Sequence, residues 1–128
     1  MRNSPDIATI IQPFEQGSSE EREPERRQFQ RWLYPVTQLV AFHREHERPT
    51  KDLLQPVRCY DISLGGMSFF LPQPTKHTHC TLVLGRQPGL IFIKARVIHC
   101  DPVEPFKQEW KIGCEFLTKL DSFPLRNV

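Results

Sequence analysis

The chain has 128 residues, of which 38% are hydrophobic and 25% are charged, and its formal net charge is +2. That length suffices for one domain with its own core, and the composition is typical of a soluble globular protein. No apolar run approaches the length of a membrane span, and the first residues lack the pattern of a signal peptide, so we expect a cytoplasmic protein.

The N-terminal residues differ in charge from the remainder of the chain. Residues 1–25 hold two basic and six acidic side chains, a balance of −4, whereas residues 26–128 hold fifteen basic and nine acidic ones, a balance of +6. Because residues 1–25 end in a polar run with little apolar pattern, we expect a flexible arm. The arm contains a short apolar stripe at helical spacing that can dock on the domain or on a partner. This stripe consists of Ile7, Ile10, Ile11 and Phe14.

From residue 32 onward, segments rich in β-branched and aromatic residues alternate with connections rich in proline and glycine. In several segments every second side chain is apolar, as with Met67, Phe69 and Leu71. This pattern predicts an all-β domain over residues 26–118, a small six-stranded antiparallel β-barrel whose closure protects the sheet edges. The predicted strands are 34–42, 57–62, 66–71, 80–84, 90–100 and 109–117. Residues 119–128 contain Pro124, so we expect a tail with little or no helix.

Cysteine and histidine spacing gives no sign of a metal site. The four cysteines form no CxxC pair and lie in or beside strand-like segments, which favours reduced, buried thiols. His43 and His46, like His77 and His79, match no structural zinc pattern. The chain also lacks a nucleophile elbow and a phosphate-binding glycine loop, so we expect neither an enzyme nor a metal-binding protein.

Two short motifs carry the functional interpretation. The first is RRQFQR, with Arg26, Arg27 and Arg31, which by itself is also consistent with a solvated patch paired with nearby glutamates. The second is DISLGG, in which Asp61 and Ser63 are two residues apart and so lie on the same side of an extended chain. The glycines that follow allow a sharp turn, and on its own this is an ordinary hairpin signal.

Together, the RxxxR motif at Arg27 and Arg31 and the DxSxxG motif from Asp61 to Gly66 resemble the PilZ domain family, over about residues 24–118. The resemblance implies a receptor for the bacterial second messenger cyclic di-GMP, with no cofactor beyond that ligand. The arginines would hold phosphates and guanine edges, Asp61 and Ser63 would hydrogen-bond guanine, and Gly66 would keep the turn. The implied ligand-binding residues are Arg26, Arg27, Arg31, Asp61, Ser63 and Gly66.

The chemistry of these side chains suits such a ligand. A guanidinium group pairs with phosphate oxygens and with guanine O6 and N7, and a carboxylate accepts from the N1–H and N2–H groups of guanine. Because the arginines follow a flexible arm, we expect ligand capture to change the conformation of that arm or its binding of a downstream protein. Two alternatives stay open: a PilZ-fold adaptor that binds no nucleotide, which the two intact motifs disfavour, and a small β-barrel that binds nucleic acid, which the modest positive charge disfavours.

Overall fold

The computed structural model describes residues 7–10, 30–104 and 108–121, and its main feature is a sheet of antiparallel strands that closes on itself. The strands are β1 (Trp32–Leu33), β2 (Thr37–His43), β3 (Gln55–Ile62), β4 (Gly66–Leu71), β5 (His79–Leu84), β6 (Ile91–Glu104) and β7 (Glu109–Leu120). A short 3₁₀ turn, Lys51–Leu53, connects β2 to β3. The order in the sheet is β1-β3-β2-β5-β6-β7-β4, and an additional pairing of β3 with β4 closes it. The six long strands therefore form the closed barrel that the sequence predicts.

The N-terminal edge of the barrel departs from the predicted strand 34–42. There the chain forms β1, bends through residues 34–36 and resumes as β2 at Thr37. Tyr34 turns into the core at 3% exposure, and the N–H of Val36 donates to the carbonyl of Tyr34 at 2.8 Å. Pro35, which has no N–H to offer a neighbouring strand, lies at the bend. Both β1 and β2 still pair with β3, one after the other.

The interior is filled by the residues that the alternating pattern assigns to one face. Met67 and Phe69 are fully buried and Leu71 nearly so, and the same holds for Ile91, Ile93 and Ala95 on β6. Each large aliphatic or aromatic side chain removed from water contributes about 1.5–3 kcal/mol. The core of this barrel is therefore its main source of stability.

Three of the four cysteines lie in this core. Cys59, Cys80 and Cys114 are buried and Cys100 is half-buried, and all four are free thiols. The sulfur atoms of Cys80 and Cys114 are 3.9 Å apart, and burial raises the pKa of Cys59 to about 12. The prediction of reduced, buried thiols agrees with this arrangement.

Residues 7–10 form a helical turn that packs on the barrel. Ile7 and Ile10 contact the core cluster, and Ile10 lies beside Gly85 at the turn between β5 and β6. For these two residues the predicted apolar stripe docks on the domain itself. Ile11, Phe14 and the remainder of the predicted arm lie outside the described residues.

β6 and β7 form the longest hairpin of the molecule. Their register runs from Phe92 opposite Leu120 to Glu104 opposite Glu109. Both strands are longer than predicted, because the additional residues of β6, 101–104, pair with the start of β7, and those of β7, 118–120, pair with the start of β6. β7 consequently extends to Leu120, two positions beyond the predicted domain end at residue 118.

Candidate functional site

A broad groove of about 990 Å³ lies on the outer surface of the barrel, where β4, β6 and β7 pass the turn between β3 and β4. One side is formed by Arg31 and the turn from Asp61 to Gly66, and the other by outward-facing residues of β6 and β7. Four of the six predicted ligand residues therefore line one concave surface, namely Arg31, Asp61, Ser63 and Gly66. Arg26 and Arg27 lie outside the described residues.

The turn is held by Ser63 from within. The Ser63 hydroxyl accepts hydrogen bonds from the backbone N–H groups of Gly65 and Gly66, each at 3.1 Å. The backbone N–H of Ser63 in turn donates to the carbonyl of Gly66 at 2.8 Å. Since Ser63 is only 1% exposed, its hydroxyl lies beneath the turn and fixes its shape. Ser63 therefore supports the turn that borders the groove, and its hydroxyl does not project into the groove.

Gly66 is required by the close approach of β7. A Cβ atom there would lie closer than 3.0 Å to the carbonyl oxygen of Cys114, and 3.3 Å from the Cα of Glu115. The only glycine described with positive φ is Gly85, so the turn itself does not need a left-handed backbone at Gly66. The turn is also hydrogen-bonded to β7: the N–H of Phe116 donates to the carbonyl of Gly65 at 2.8 Å. The DxSxxG turn is thus attached directly to the floor of the groove.

Asp61 and Arg31 form a two-point ion pair at the rim. The Nε of Arg31 lies 3.0 Å from Oδ2 of Asp61, and its Nη2 lies 3.1 Å from Oδ1. The hydroxyl of Ser68 on β4 also donates to Oδ1 at 2.8 Å. Asp61 reaches this position through a β-bulge, because the register of β3 on β4 shifts between Cys59 and Asp61.

The carboxyl group of Asp61 is ionised at neutral pH. Burial raises its pKa, but the hydrogen bonds from Arg31 and Ser68, together with the charges of Arg31 and Lys111, outweigh burial and lower the pKa below its usual value. Asp61 therefore acts as a hydrogen-bond acceptor in the groove.

The groove also contains residues that the two motifs do not include. The register places Asp61 opposite Ser68, Ser68 opposite Gly113, and Gly113 opposite His99, so that these four form one row across β3, β4, β7 and β6. A neighbouring row pairs Lys111 with Asp101. The alternation of polar and apolar residues in β4 and β7 predicts that Ser68 and Lys111 face outward. Their convergence depends on the pairing of strands distant in sequence.

Lys111 is held in place by an aromatic ring. Its Nζ lies 4.1 Å from the centroid of Tyr60, which is exposed on β3. A cation over a ring face is stabilised by about 0.5–1 kcal/mol at an exposed site. A second positive charge is thereby fixed beside the pair of Arg31 and Asp61.

A smaller cleft of about 230 Å³ lies elsewhere, next to His43, Lys76 and His77. His43 is buried, with its ring nitrogens 2.7 Å from the carbonyl oxygen of Arg44 and 2.8 Å from the hydroxyl of Thr81. Burial lowers the pKa of His43. Over residues 7–10, 30–104 and 108–121, no three His, Cys, Asp or Glu side chains are grouped so that they could hold a metal ion.

Comparison with known proteins identifies the family. The family model of the PilZ domain matches residues 25–123. The chain belongs to the PilZ domain family. This match confirms the resemblance inferred from the two motifs, and the PilZ domain spans the whole barrel together with the RxxxR segment.

Two solved structures are similar to this chain. The inhibitor of motility MotI/DgrA of Bacillus subtilis aligns with a TM-score of 0.52 and 19% identity, over 78% of this chain and 46% of that one. This chain thus spans less than half of that protein, and the likeness shows a shared fold. The structure "PilZ domain with c-di-GMP of YcgR from Escherichia coli" aligns with a TM-score of 0.43 and 19% identity, over 73% of this chain and 79% of that one. A search of curated protein sequences found no match. Among the described residues, no helix has the length and apolar character needed to cross a membrane.

Proposed function

We propose that this PilZ domain is a receptor for cyclic di-GMP and that the ligand binds in the groove between the DxSxxG turn and β6. The observation that carries the proposal is the ion pair of Arg31 and Asp61, which joins the two family motifs at the rim of that groove. Membership of the PilZ domain family supports the identity of the ligand. The function is binding, and its output is a change in conformation or in a protein partner.

The ion pair leaves hydrogen-bonding capacity for a ligand. A guanidinium group has five N–H donors, and Asp61 uses two of those of Arg31. A carboxylate accepts about four hydrogen bonds, and Asp61 already accepts three, two from Arg31 and one from Ser68. Arg31 therefore keeps donors for phosphate oxygens or for guanine O6 and N7, and Asp61 keeps an acceptor for a guanine N–H group.

The cations of the groove can contact the phosphates of a dianionic ligand. Arg31 and Lys111 line the groove together with three carboxylates, of which Asp61 pairs with Arg31 and Glu115 with Arg96, and the sequence places Arg26 and Arg27 shortly before Arg31. Because the groove excludes part of the surrounding water, such contacts are stronger there than on an open surface. Ser63 and Gly66 contribute by fixing the turn that positions Asp61.

The proposal is tested by isothermal titration of the purified protein with cyclic di-GMP. Arg31→Ala removes a charge-assisted contact, which costs about 2–5 kcal/mol, so its affinity should fall at least tenfold. Arg27→Ala should weaken binding in the same way. Arg58→Ala is the matched control, because Arg58 also binds an acidic side chain, Glu109 at 2.7 Å, but does not line the groove.

The expected result is weaker binding in both motif variants, normal binding in Arg58→Ala, and thermal midpoints close to that of the wild type. Absence of saturable heat from the wild type at tens of micromolar ligand, equivalent to about 7 kcal/mol, would contradict the proposed function. Equal affinities of Arg31→Ala and Arg58→Ala would contradict the assigned site. A large drop in the thermal midpoint of Arg31→Ala would assign Arg31 a structural role.

The proposed response of the arm has its own readout. If ligand capture by the arginines reorganises residues 1–31, cyclic di-GMP should slow proteolytic cleavage within that segment while leaving cleavage after residue 120 unchanged. Equal cleavage rates with and without ligand would contradict this part of the proposal.

A further inference from the structure

The far wall of the groove is formed by His99, which belongs to neither family motif. It lies on β6 directly after a bulge, because the register of β6 on β7 shifts between Val97 and His99. The extra residue, Ile98, also lines the groove. The bulge thus changes which β6 side chains face the ligand side of the sheet.

The imidazole of His99 leans over Gly113 on the neighbouring strand. A Cβ atom on Gly113 would lie 3.2 Å from Cδ2 of His99 and 3.4 Å from its Cβ. Because Gly113 has no side chain, there is open space above it, and the ring of His99 lies at the edge of that space. His99 is exposed to solvent, so its ring is not part of the core.

Two exposed apolar side chains lie at the rim of the groove, among charged residues that include Asp101 and Glu115. Ile98 is 49% exposed and Leu64, in the turn on the opposite side, is 54% exposed. Both line the groove. Exposed aliphatic side chains do not suit phosphate, which prefers cations and N–H donors, but they suit the flat face of a base.

We propose that His99 is a specificity-determining residue that stacks on a purine base of the ligand, at the opposite end of the groove from the ion pair of Arg31 and Asp61. Imidazole rings are among the side chains on which unstacked bases stack. This inference rests on the proposed function, since it assigns a second base position within the same site.

The spacing of the row supports two separate base positions. Asp61 and His99 are separated by three strand spacings of about 4.8 Å, or roughly 14 Å along the sheet. One purine whose edge meets Asp61 does not cover that distance. A ligand with two bases can place one at the ion pair and the other over Gly113 against His99.

The test measures cyclic di-GMP affinity for three substitutions of His99. Loss of one base–aromatic stack weakens binding roughly 5- to 150-fold, which is the range expected for His99→Ala. His99→Leu keeps an apolar side chain without a π face and should be nearly as weak. His99→Phe keeps the stack and should bind within about threefold of the wild type. His46→Ala is the matched control, because the side chain of His46 is 88% exposed and lies outside the groove.

A spectroscopic readout separates stacking from other roles. In the proton NMR spectrum of the bound ligand, a guanine H8 resonance should be shifted upfield by the ring of the wild type and of His99→Phe, and less so by His99→Leu. Wild-type affinity of His99→Ala for cyclic di-GMP would overturn the inference. Equally weak binding by His99→Phe and His99→Ala would also overturn it. Both outcomes leave the proposed function intact. If the wild type binds no cyclic di-GMP, the proposed function fails and this inference fails with it.

Discussion

Replacing Gly66 by alanine should destabilise the barrel strongly, because the atoms that the new Cβ would meet belong to the backbone of β7. The added Cβ would lie closer than 3.0 Å to the carbonyl oxygen of Cys114 and 3.3 Å from both the carbonyl carbon of Cys114 and the Cα of Glu115. No side-chain rotation relieves these contacts, so β4 and β7 must separate. The bond from the N–H of Phe116 to the carbonyl of Gly65, 2.8 Å long, lies next to the point of separation.

The size of the effect follows from two contributions. Overpacking costs about 1–3 kcal/mol, and each weakened hydrogen bond adds about 0.5–1.5 kcal/mol. With one hydrogen bond weakened, the sum is about 1.5–4.5 kcal/mol of unfolding free energy. For a chain of this length, 1 kcal/mol corresponds to about 4 °C, so the thermal midpoint should fall by roughly 6–18 °C.

The assay is thermal unfolding followed by circular dichroism, with Gly113→Ala as the matched control. Gly113 lies in the same groove, but the three atoms nearest to a Cβ there all belong to the side chain of His99, the nearest at 3.2 Å, and that exposed side chain can move. We expect the midpoint of Gly113→Ala to stay within about 2 °C of the wild type. A Gly66→Ala protein that unfolds within 2 °C of the wild type would refute the packing argument, as would an equal loss in both variants.

Three further predictions concern groups away from that contact. The pKa of Asp61 is lowered in the folded state, so the stability that its carboxylate contributes is complete above its unfolded pKa of about 3.9 and is lost as the pH falls through the folded pKa. The difference in thermal midpoint between the wild type and Asp61→Asn should therefore shrink between pH 6 and pH 3. A difference that stays constant over this range would contradict the prediction. Iodoacetamide should modify the half-buried Cys100 before the buried Cys59, whose pKa of about 12 leaves almost no thiolate, and equal labelling rates by mass spectrometry would count against the buried position. Gln38→Leu should cost about 1–3 kcal/mol in urea unfolding, because the side-chain oxygen of Gln38 accepts from the N–H of Gly85 at 2.6 Å and from the hydroxyl of Tyr34 at 2.5 Å; an unchanged midpoint would contradict that role.

The barrel could be predicted largely because its core follows local alternation. Residues such as Met67, Phe69 and Leu71 face inward in the structure as their spacing indicates. The ends of the strands are predicted less accurately than the core. The bend at residues 34–36 coincides with Pro35, whereas the extension of β6 to Glu104 depends on its pairing with β7, of which residues 101–104 carry no local sign.

The candidate site shows the same division between local and distant effects. The two motifs predict Arg31 and Asp61, and the structure brings them together across thirty positions of sequence. The DxSxxG motif predicts a role for Gly66 in the conformation of the turn, whereas in the structure β7 excludes a side chain there. His99 and Lys111 could not be assigned to the site beforehand, because only the register of β6 on β7 and of β7 on β4 places them beside it.

The most direct test of the central claim is a titration of the ¹⁵N-labelled protein with cyclic di-GMP, followed by amide chemical shifts. We predict saturable shifts concentrated in residues 61–66 and 111–116, which border the groove, with none at His43 or His77 in the smaller cleft. No saturable shifts, or shifts concentrated at that smaller cleft, would contradict the account.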